Sequence, residues 1–152
     1  MPDPDQAPSP PVPARTRDHL IAVAVADGRC GMAAAHRAAR LAAASGGTVT
    51  MALLTRPPWA AAFEPSAMAC WRNGDLEIAA LIRLSAIFDP AGVGWRMAVV
   101  DGDPARGIVR LARRHPPDWV LVPRPRRPLP RAGGRRLAAV LRSRHGLPLL
   151  IV

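Results

Sequence analysis

The sequence contains no lysine and no tyrosine, and its aromatic residues are limited to four tryptophans and two phenylalanines. A core must therefore be built mostly from alanine, valine, leucine and isoleucine, and the apolar content of 49% is enough for a globular chain. The two cysteines, Cys30 and Cys70, form no CxxC motif, so neither a disulfide framework nor a metal site is indicated.

Long apolar segments are also missing. No run approaches the roughly 20 residues of a membrane-spanning helix, and residues 1–18 contain six prolines but no apolar signal segment. We therefore expect a cytoplasmic protein without membrane contact. Residues 1–18 are predicted to be a disordered, polyproline-like tail, and residues 19–152 a single folded domain.

Positive charge is concentrated in the last third of the chain. All 21 basic residues are arginine and the net charge is +10. Residues 1–103 hold nine arginines against ten acidic residues, whereas residues 104–152 hold twelve arginines and a single acid, Asp118. Such a surface either keeps a protein soluble or attracts phosphates, nucleic acid or an acidic partner.

Apolar runs alternate with helical patterns along residues 19–152. Strands are predicted at 19–25, 48–54, 95–100, 118–122 and 147–152, and helices at 32–45, 75–88, from Asp103-Pro104 to Pro116, and from Gly133-Gly134 to Gly146. Strands that alternate with helices favour an α/β fold with a five-stranded parallel sheet in a three-layer α/β/α sandwich.

Three stretches carry a resemblance to a known family. One is the strand before Ala35, Ala38 and Leu41-Ala42, which continues through Gly46 into Thr48–Leu54. The most specific is Val99–Pro104 followed by Ile108, Leu111-Ala112 and Asp118–Val122, and the last is Pro148–Val152. In this order and spacing the sequence resembles a universal stress protein over residues 19–152.

This resemblance implies a Rossmann-like fold with strand order 3-2-1-4-5, a homodimer, and a role in stress response. It also implies an adenine-nucleotide site, in which the phosphates lie in a G-x2-G-x9-G-(S/T) loop after the fourth strand. Glycines let backbone N–H groups approach the phosphates, and a helix N-terminus favours the negative charge. An acidic residue after the first strand meets the nucleotide, and Asp27 matches it if one residue is inserted; the ungapped match is Ala26.

The chain departs from this pattern in the loop itself. Pro123 and Arg126 stand at the first two glycine positions, and the last pair falls near Arg135-Arg136. Because proline has no N–H and cannot adopt a positive φ, the usual phosphate cradle cannot form. Gly133-Gly134 lies two residues early and could substitute in part at the helix start.

Two interpretations of this loop remain open. Either nucleotide binding is lost, or arginine side chains replace the backbone donors, since a guanidinium binds phosphate in a bidentate manner. Asp101, next to Gly102 after the third strand, is placed to touch a ribose, whereas Asp103 is expected to cap the next helix. The candidate nucleotide-contacting residues are Asp27, Asp101, Gly102, Arg124, Arg126, Arg131, Gly133, Gly134, Arg135 and Arg136.

No catalytic or metal-binding motif accompanies these residues. His19, His36, His115 and His145 are scattered over different elements, and no serine lies in a G-x-S-x-G motif. The first hypothesis is thus a non-enzymatic stress-response protein without a cofactor. The alternatives are a sensor that binds ATP or AMP through the arginine loop, with slow ATP hydrolysis left open, and a polyanion binder without a nucleic-acid motif. The aliphatic segment Leu147–Val152 is expected to pair antiparallel across a dimer axis.

Overall fold

The computed structural model describes residues 18–25, 32–55, 73–124 and 134–152. Strands and helices alternate as expected, and their bounds are β1 His19–Val25, α1 Met32–Ser45, β2 Thr48–Leu54, α2 Asn73–Phe88, β3 Gly94–Val100, α3 Pro104–Arg114, β4 Trp119–Val122, α4 Gly134–His145 and β5 Leu149–Ile151. The predicted tail and residues 26–31, 56–72 and 125–133 lie outside the described residues.

The five strands form one parallel sheet in the order β3-β2-β1-β4-β5, which confirms the predicted topology. The order follows from two right-handed windings, one from β1 outwards to β3 and one from β4 to β5. Because all strands are parallel, the sheet has one carboxyl end, where the strands lead into α1, α3 and α4, and one amino end, where those helices finish.

Helices cover both faces of the sheet and produce three layers. Helices α1 and α2 pack on the face that includes Leu20, Met51 and Leu53. Helices α3 and α4 pack on the face that includes Ile21 and Ala52. These core positions alternate along β1 and β2, as they must when successive side chains point to opposite faces.

Small residues set the distance between helices and sheet. Helix α1 buries five alanines against β1 and β2, namely Ala34, Ala35, Ala38, Ala39 and Ala42. On the other face, a Cβ atom added to Gly107 in α3 would overlap the side chain of Val100 in β3. Helix α3 therefore lies too close to β3 at Gly107 for any side chain there.

Several predicted boundaries differ from the structure. Strands β3 and β4 begin at Gly94 and Trp119, each one residue from the predicted start. Helix α2 begins at Asn73, two residues before the predicted start, and β5 comprises Leu149–Ile151 rather than residues 147–152. The N–H of Leu147 donates to the carbonyl of Leu141 at 3.4 Å and so completes the end of α4, and Pro148 has no N–H to donate to the sheet.

Within the described ranges, no helix is long and apolar enough to cross a membrane.

Candidate functional site

The carboxyl end of β3 presents an oriented carboxylate. The Thr55 hydroxyl donates a 2.7 Å hydrogen bond to Oδ1 of Asp101, and the Thr55 N–H donates to the carbonyl of Val100 at 3.3 Å. Asp101 is exposed to solvent despite this contact. Gly102 has a φ of +79°, a left-handed conformation that glycine adopts without strain, and it turns the chain into α3.

Asp103 starts helix α3, as predicted. Its side chain accepts a hydrogen bond of 3.2 Å from the N–H of Ala105, and Pro104 occupies the first helical position, where a missing N–H costs nothing. The guanidinium of Arg106 lies 3.6 Å from Oδ2 of Asp103 on the exposed surface. Asp103 thus has a structural role at this end of the sheet.

The predicted nucleotide residues are distributed unevenly. Asp101 follows β3 and Arg124 follows β4, and these strands are three strand spacings apart, roughly 14 Å at the usual interval. Gly134, Arg135 and Arg136 form the first turn of α4, which begins at the same carboxyl end because α4 follows β4. Asp27, Arg126, Arg131 and Gly133 lie outside the described residues.

The amino end of the sheet holds a polar cluster that the sequence patterns did not reveal. We call it the amino-end cluster, and its members are His19 of β1, Thr50 of β2, Arg96 of β3 and His115 after α3. Nε of Arg96 donates to the Thr50 hydroxyl oxygen at 2.9 Å, and Nε2 of His19 lies 3.0 Å from the same oxygen. The rings of His19 and His115 meet edge to face, with centroids 6.0 Å apart.

Thr50 anchors this cluster from inside the protein. Thr50 is 2% exposed, and it is the one buried polar residue in the described part of the chain. A buried hydroxyl is costly unless it is hydrogen-bonded, and here Arg96 and His19 supply both partners.

Like charges surround His115. Partial burial lowers the pKa of His115 below its ordinary value of 6.5, and the nearby charges of Arg96, His19 and Arg114 lower it further. Among the described acids at this end, Asp18 directly precedes β1, and Oδ2 of Asp118 accepts the backbone N–H of His19 at 2.7 Å. Desolvation first, and then the nearby basic side chains, therefore make the protonated form of His115 unfavourable.

Comparison with known proteins decides the family. The sequence profile of the universal stress protein family matches residues 19–144. The chain belongs to the universal stress protein family. No curated protein sequence matches it significantly.

Solved structures show the same fold. A universal stress protein in complex with cAMP is 22% identical and superposes with a TM-score of 0.62 over 90% of this chain and 96% of its own. A family member from Burkholderia pseudomallei is 16% identical, with a TM-score of 0.65 over 92% and 98%. UspA from Lactobacillus plantarum is 13% identical, with a TM-score of 0.59 over 90% and 97%.

This universal stress protein lacks free backbone donors at the point where the phosphate loop would begin. Pro123 has no N–H. The N–H of Arg124 donates to the carbonyl of Val152 at 2.6 Å, which ties the end of β4 to the end of the chain. The side chain of Arg124 is exposed. Of these two residues, only Arg124 has a donor available, and it is the side-chain guanidinium.

Among the described residues, no group of three or more histidine, cysteine, aspartate or glutamate side chains could hold a metal ion. Several arginines of the basic last third lie on the surface, namely Arg106, Arg110, Arg113, Arg114, Arg124, Arg142 and Arg144. Positive charge thus covers the α3–α4 side of the molecule.

Proposed function

We propose that this chain is a non-enzymatic regulatory or binding protein of the stress response that does not hold ATP in a backbone phosphate loop. The observation that carries this proposal is the end of β4, where Pro123 has no N–H and the N–H of Arg124 is bound to Val152. Family membership supports the stress-response role.

The missing donors have an energetic consequence. A hydrogen bond to a charged group contributes roughly 1.5–3 kcal/mol, and each 1.4 kcal/mol corresponds to about tenfold in affinity. Loss of two such donors should weaken an ATP complex by about a hundredfold or more. A site of about 1 μM would then bind with a dissociation constant of about 100 μM or weaker.

Calorimetric titration with Mg-ATP at two salt concentrations tests the proposal. We expect no saturable heat in the micromolar range at either concentration. A Pro123→Gly, Arg126→Gly variant is the matched gain-of-function control, because it restores glycine at the first two loop positions. Tight stoichiometric binding of Mg-ATP by the unmodified chain contradicts the proposal.

A second candidate is a sensor that binds ATP or AMP through arginine side chains. Two observations favour it: Arg124 is exposed at the carboxyl end of β4, and Arg135 and Arg136 belong to the first turn of α4, where the helix dipole favours an anion. Replacement of Arg124, Arg126 and Arg131 by glutamine should then abolish nucleotide binding. Unchanged affinity in that triple variant excludes this candidate, and slow hydrolysis would be sought only if binding occurs.

The basic α3–α4 surface keeps polyanion binding as a third candidate. Phosphate contacts made by arginine release counterions, so affinity for DNA or RNA would fall steeply with salt. A mobility shift that is absent, or one that does not depend on salt, excludes this function.

A homodimer through β5 is part of the proposal. Strand β5 lies at the edge of the sheet and has no outer neighbour among the described residues, and Ile151 is 42% exposed. A shallow groove of about 540 Å³ adjoins it, with Leu41, Trp119 and Leu150 in its lining. An uncovered aliphatic edge favours pairing with a second copy.

Sedimentation equilibrium measures this association. We expect a dimer that Ile151→Arg converts to a monomer. Leu81→Arg on α2 is the matched control, because Leu81 is 45% exposed and Ile151 is 42% exposed. A monomeric unmodified chain, or equal dissociation by both variants, contradicts an interface at β5.

A further inference from the structure

We propose that the amino-end cluster, together with Arg114, binds a small oxyanion of the phosphate class. This site is distinct from the carboxyl end, where the family fold places nucleotides, and it uses side-chain donors only.

The first argument is the unbalanced charge. Three described acids lie at this end: Asp18 directly precedes β1, Oδ2 of Asp118 accepts the backbone N–H of His19, and Oδ1 of Asp89 accepts the indole N–H of Trp95. None of them, and no other carboxylate in the part of the chain that the structure describes, forms an ion pair with Arg96 or Arg114. Cations that face one another without a counter-charge repel, and a bound anion would remove that repulsion.

The second argument is preorganisation. Exposed arginines normally move freely, but Nε of Arg96 is fixed by the buried hydroxyl of Thr50 at 2.9 Å. The same hydroxyl can donate its proton to Nε2 of His19 at 3.0 Å, which leaves the Nδ1–H of that ring as a donor. Side chains held in place before binding lose less entropy when a ligand arrives.

The donor set points to phosphate. The two Nη groups of Arg96 make no hydrogen bond to a described residue, and a guanidinium presents such donors in the spacing of two phosphate oxygens. The ring of His115 supplies a further N–H donor, and its centroid lies 6.0 Å from that of His19. A dianion can also offset the charge that His115 gains when it is protonated.

One feature of the fold opposes an anion here. Helix α3 ends at Arg114, and a helix C-terminus carries about half a negative charge. Arg96 and Arg114 contribute two full positive charges, and protonated His115 would add a third. The positive side chains therefore outweigh the helix end.

The test is a titration of the full chain with inorganic phosphate near pH 6. NMR of the histidine ring resonances detects binding, and chloride at the same ionic strength is the control. Phosphate should raise the pKa of His115, because the bound anion stabilises the imidazolium. Chloride should not.

Three variants make the assignment specific. Arg96→Gln removes the paired guanidinium donors and should weaken phosphate binding about tenfold. Thr50→Val removes only the anchoring hydroxyl and should weaken it about threefold through lost preorganisation. Arg106→Gln, an exposed arginine at the other end of α3, is the matched control and should bind like the unmodified chain. Circular dichroism checks that each variant is folded.

Several outcomes overturn the proposal. One is a set of histidine resonances that phosphate does not move; others are an equal response to chloride, or an equal loss of binding in Arg106→Gln. Glycerol phosphate distinguishes the source of the ligand, since tighter binding than inorganic phosphate indicates a phosphomonoester and weaker binding a free anion. Any ATP binding that Arg96→Gln abolishes belongs to this cluster, so failure here is distinguishable from failure of the nucleotide-loop proposal.

Discussion

The two ends of the sheet hold polar groups in opposite ways. At the carboxyl end, the polar groups serve the fold: Asp103 caps α3, Thr55 holds Asp101, and the N–H of Arg124 joins the end of β4 to Val152. At the amino end, one buried hydroxyl holds two basic side chains, Arg96 and His19, and the ring of His19 also meets that of His115. A fold places its loops, but the side chains at each end decide where a ligand can bind.

The largest expected effect is a loss of stability at the carboxyl end, where α3 packs against β3. Gly107→Ala should lower the free energy of unfolding by about 3 kcal/mol, because a Cβ atom there overlaps Val100, a stiff side chain that is 4% exposed. Urea denaturation measures it. Gly74→Ala, a helical glycine with open space around it, is the matched control and should stabilise the chain slightly.

A second variant tests the cause of that loss. Val100→Ala combined with Gly107→Ala should recover part of the lost stability, since contacting residues are not additive. Purely additive losses would show that the overlap with Val100 is not the cause.

A smaller effect is expected at the start of α3. Asp103→Ala should cost about 1 kcal/mol of unfolding free energy, because the N–H of Ala105 loses its acceptor. Asp103→Asn keeps a capping oxygen and should cost less. Equal losses in the two variants would assign the effect to the ion pair with Arg106 instead.

At the amino end we expect a substitution that hardly changes stability, in contrast to the substitutions at the carboxyl end. Thr50→Val should change the free energy of unfolding by less than about 1 kcal/mol, because it removes a hydroxyl while Arg96 and His19 can turn to water. A loss of several kcal/mol would mean that the cluster supports the fold and would break the comparison. Thermal unfolding in phosphate-free buffer provides the measurement.

The smallest effect is a dependence on pH. The folded pKa of His115 lies below the unfolded value of 6.5, so the unfolded chain binds more protons between the two values. Unfolding free energy should therefore rise with pH through that window, and the benefit is lost as the pH falls towards the folded pKa. Denaturation at several pH values without phosphate should show a smaller rise in His115→Gln. A rise that is unchanged in this variant contradicts the assignment.

Local patterns predicted most of the fold. The bounds of β1, α1 and β2 match the structure, because apolar runs and an alanine-rich helix are bounded by glycine and aspartate. The Asp103-Pro104 start of α3 was also predicted, since capping depends on adjacent residues. The start of α2 and the length of β5 were wrong by a few residues. For β5 the reason is Pro148, which has no N–H to donate to the sheet.

The candidate site was predicted only in part. Sequence alone identified the loss of a backbone donor at Pro123, but not that the N–H of Arg124 is taken by Val152. The histidines looked scattered because His19 and His115 belong to separate elements. Pairing of β1 with β4 brings them together, and the register of β2 with β3 sets Thr50 opposite Arg96.

By itself, the sequence determined the family, the order of helices and strands, and the presence of Pro123 where the family's phosphate loop has its first glycine. These properties depend on periodicity, capping residues and the missing proline N–H, all of which act over a few residues. Only the tertiary structure decided that basic side chains converge on Thr50 at the amino end. That convergence depends on strand register and on where α3 ends, and both arise from packing between segments that are distant along the chain.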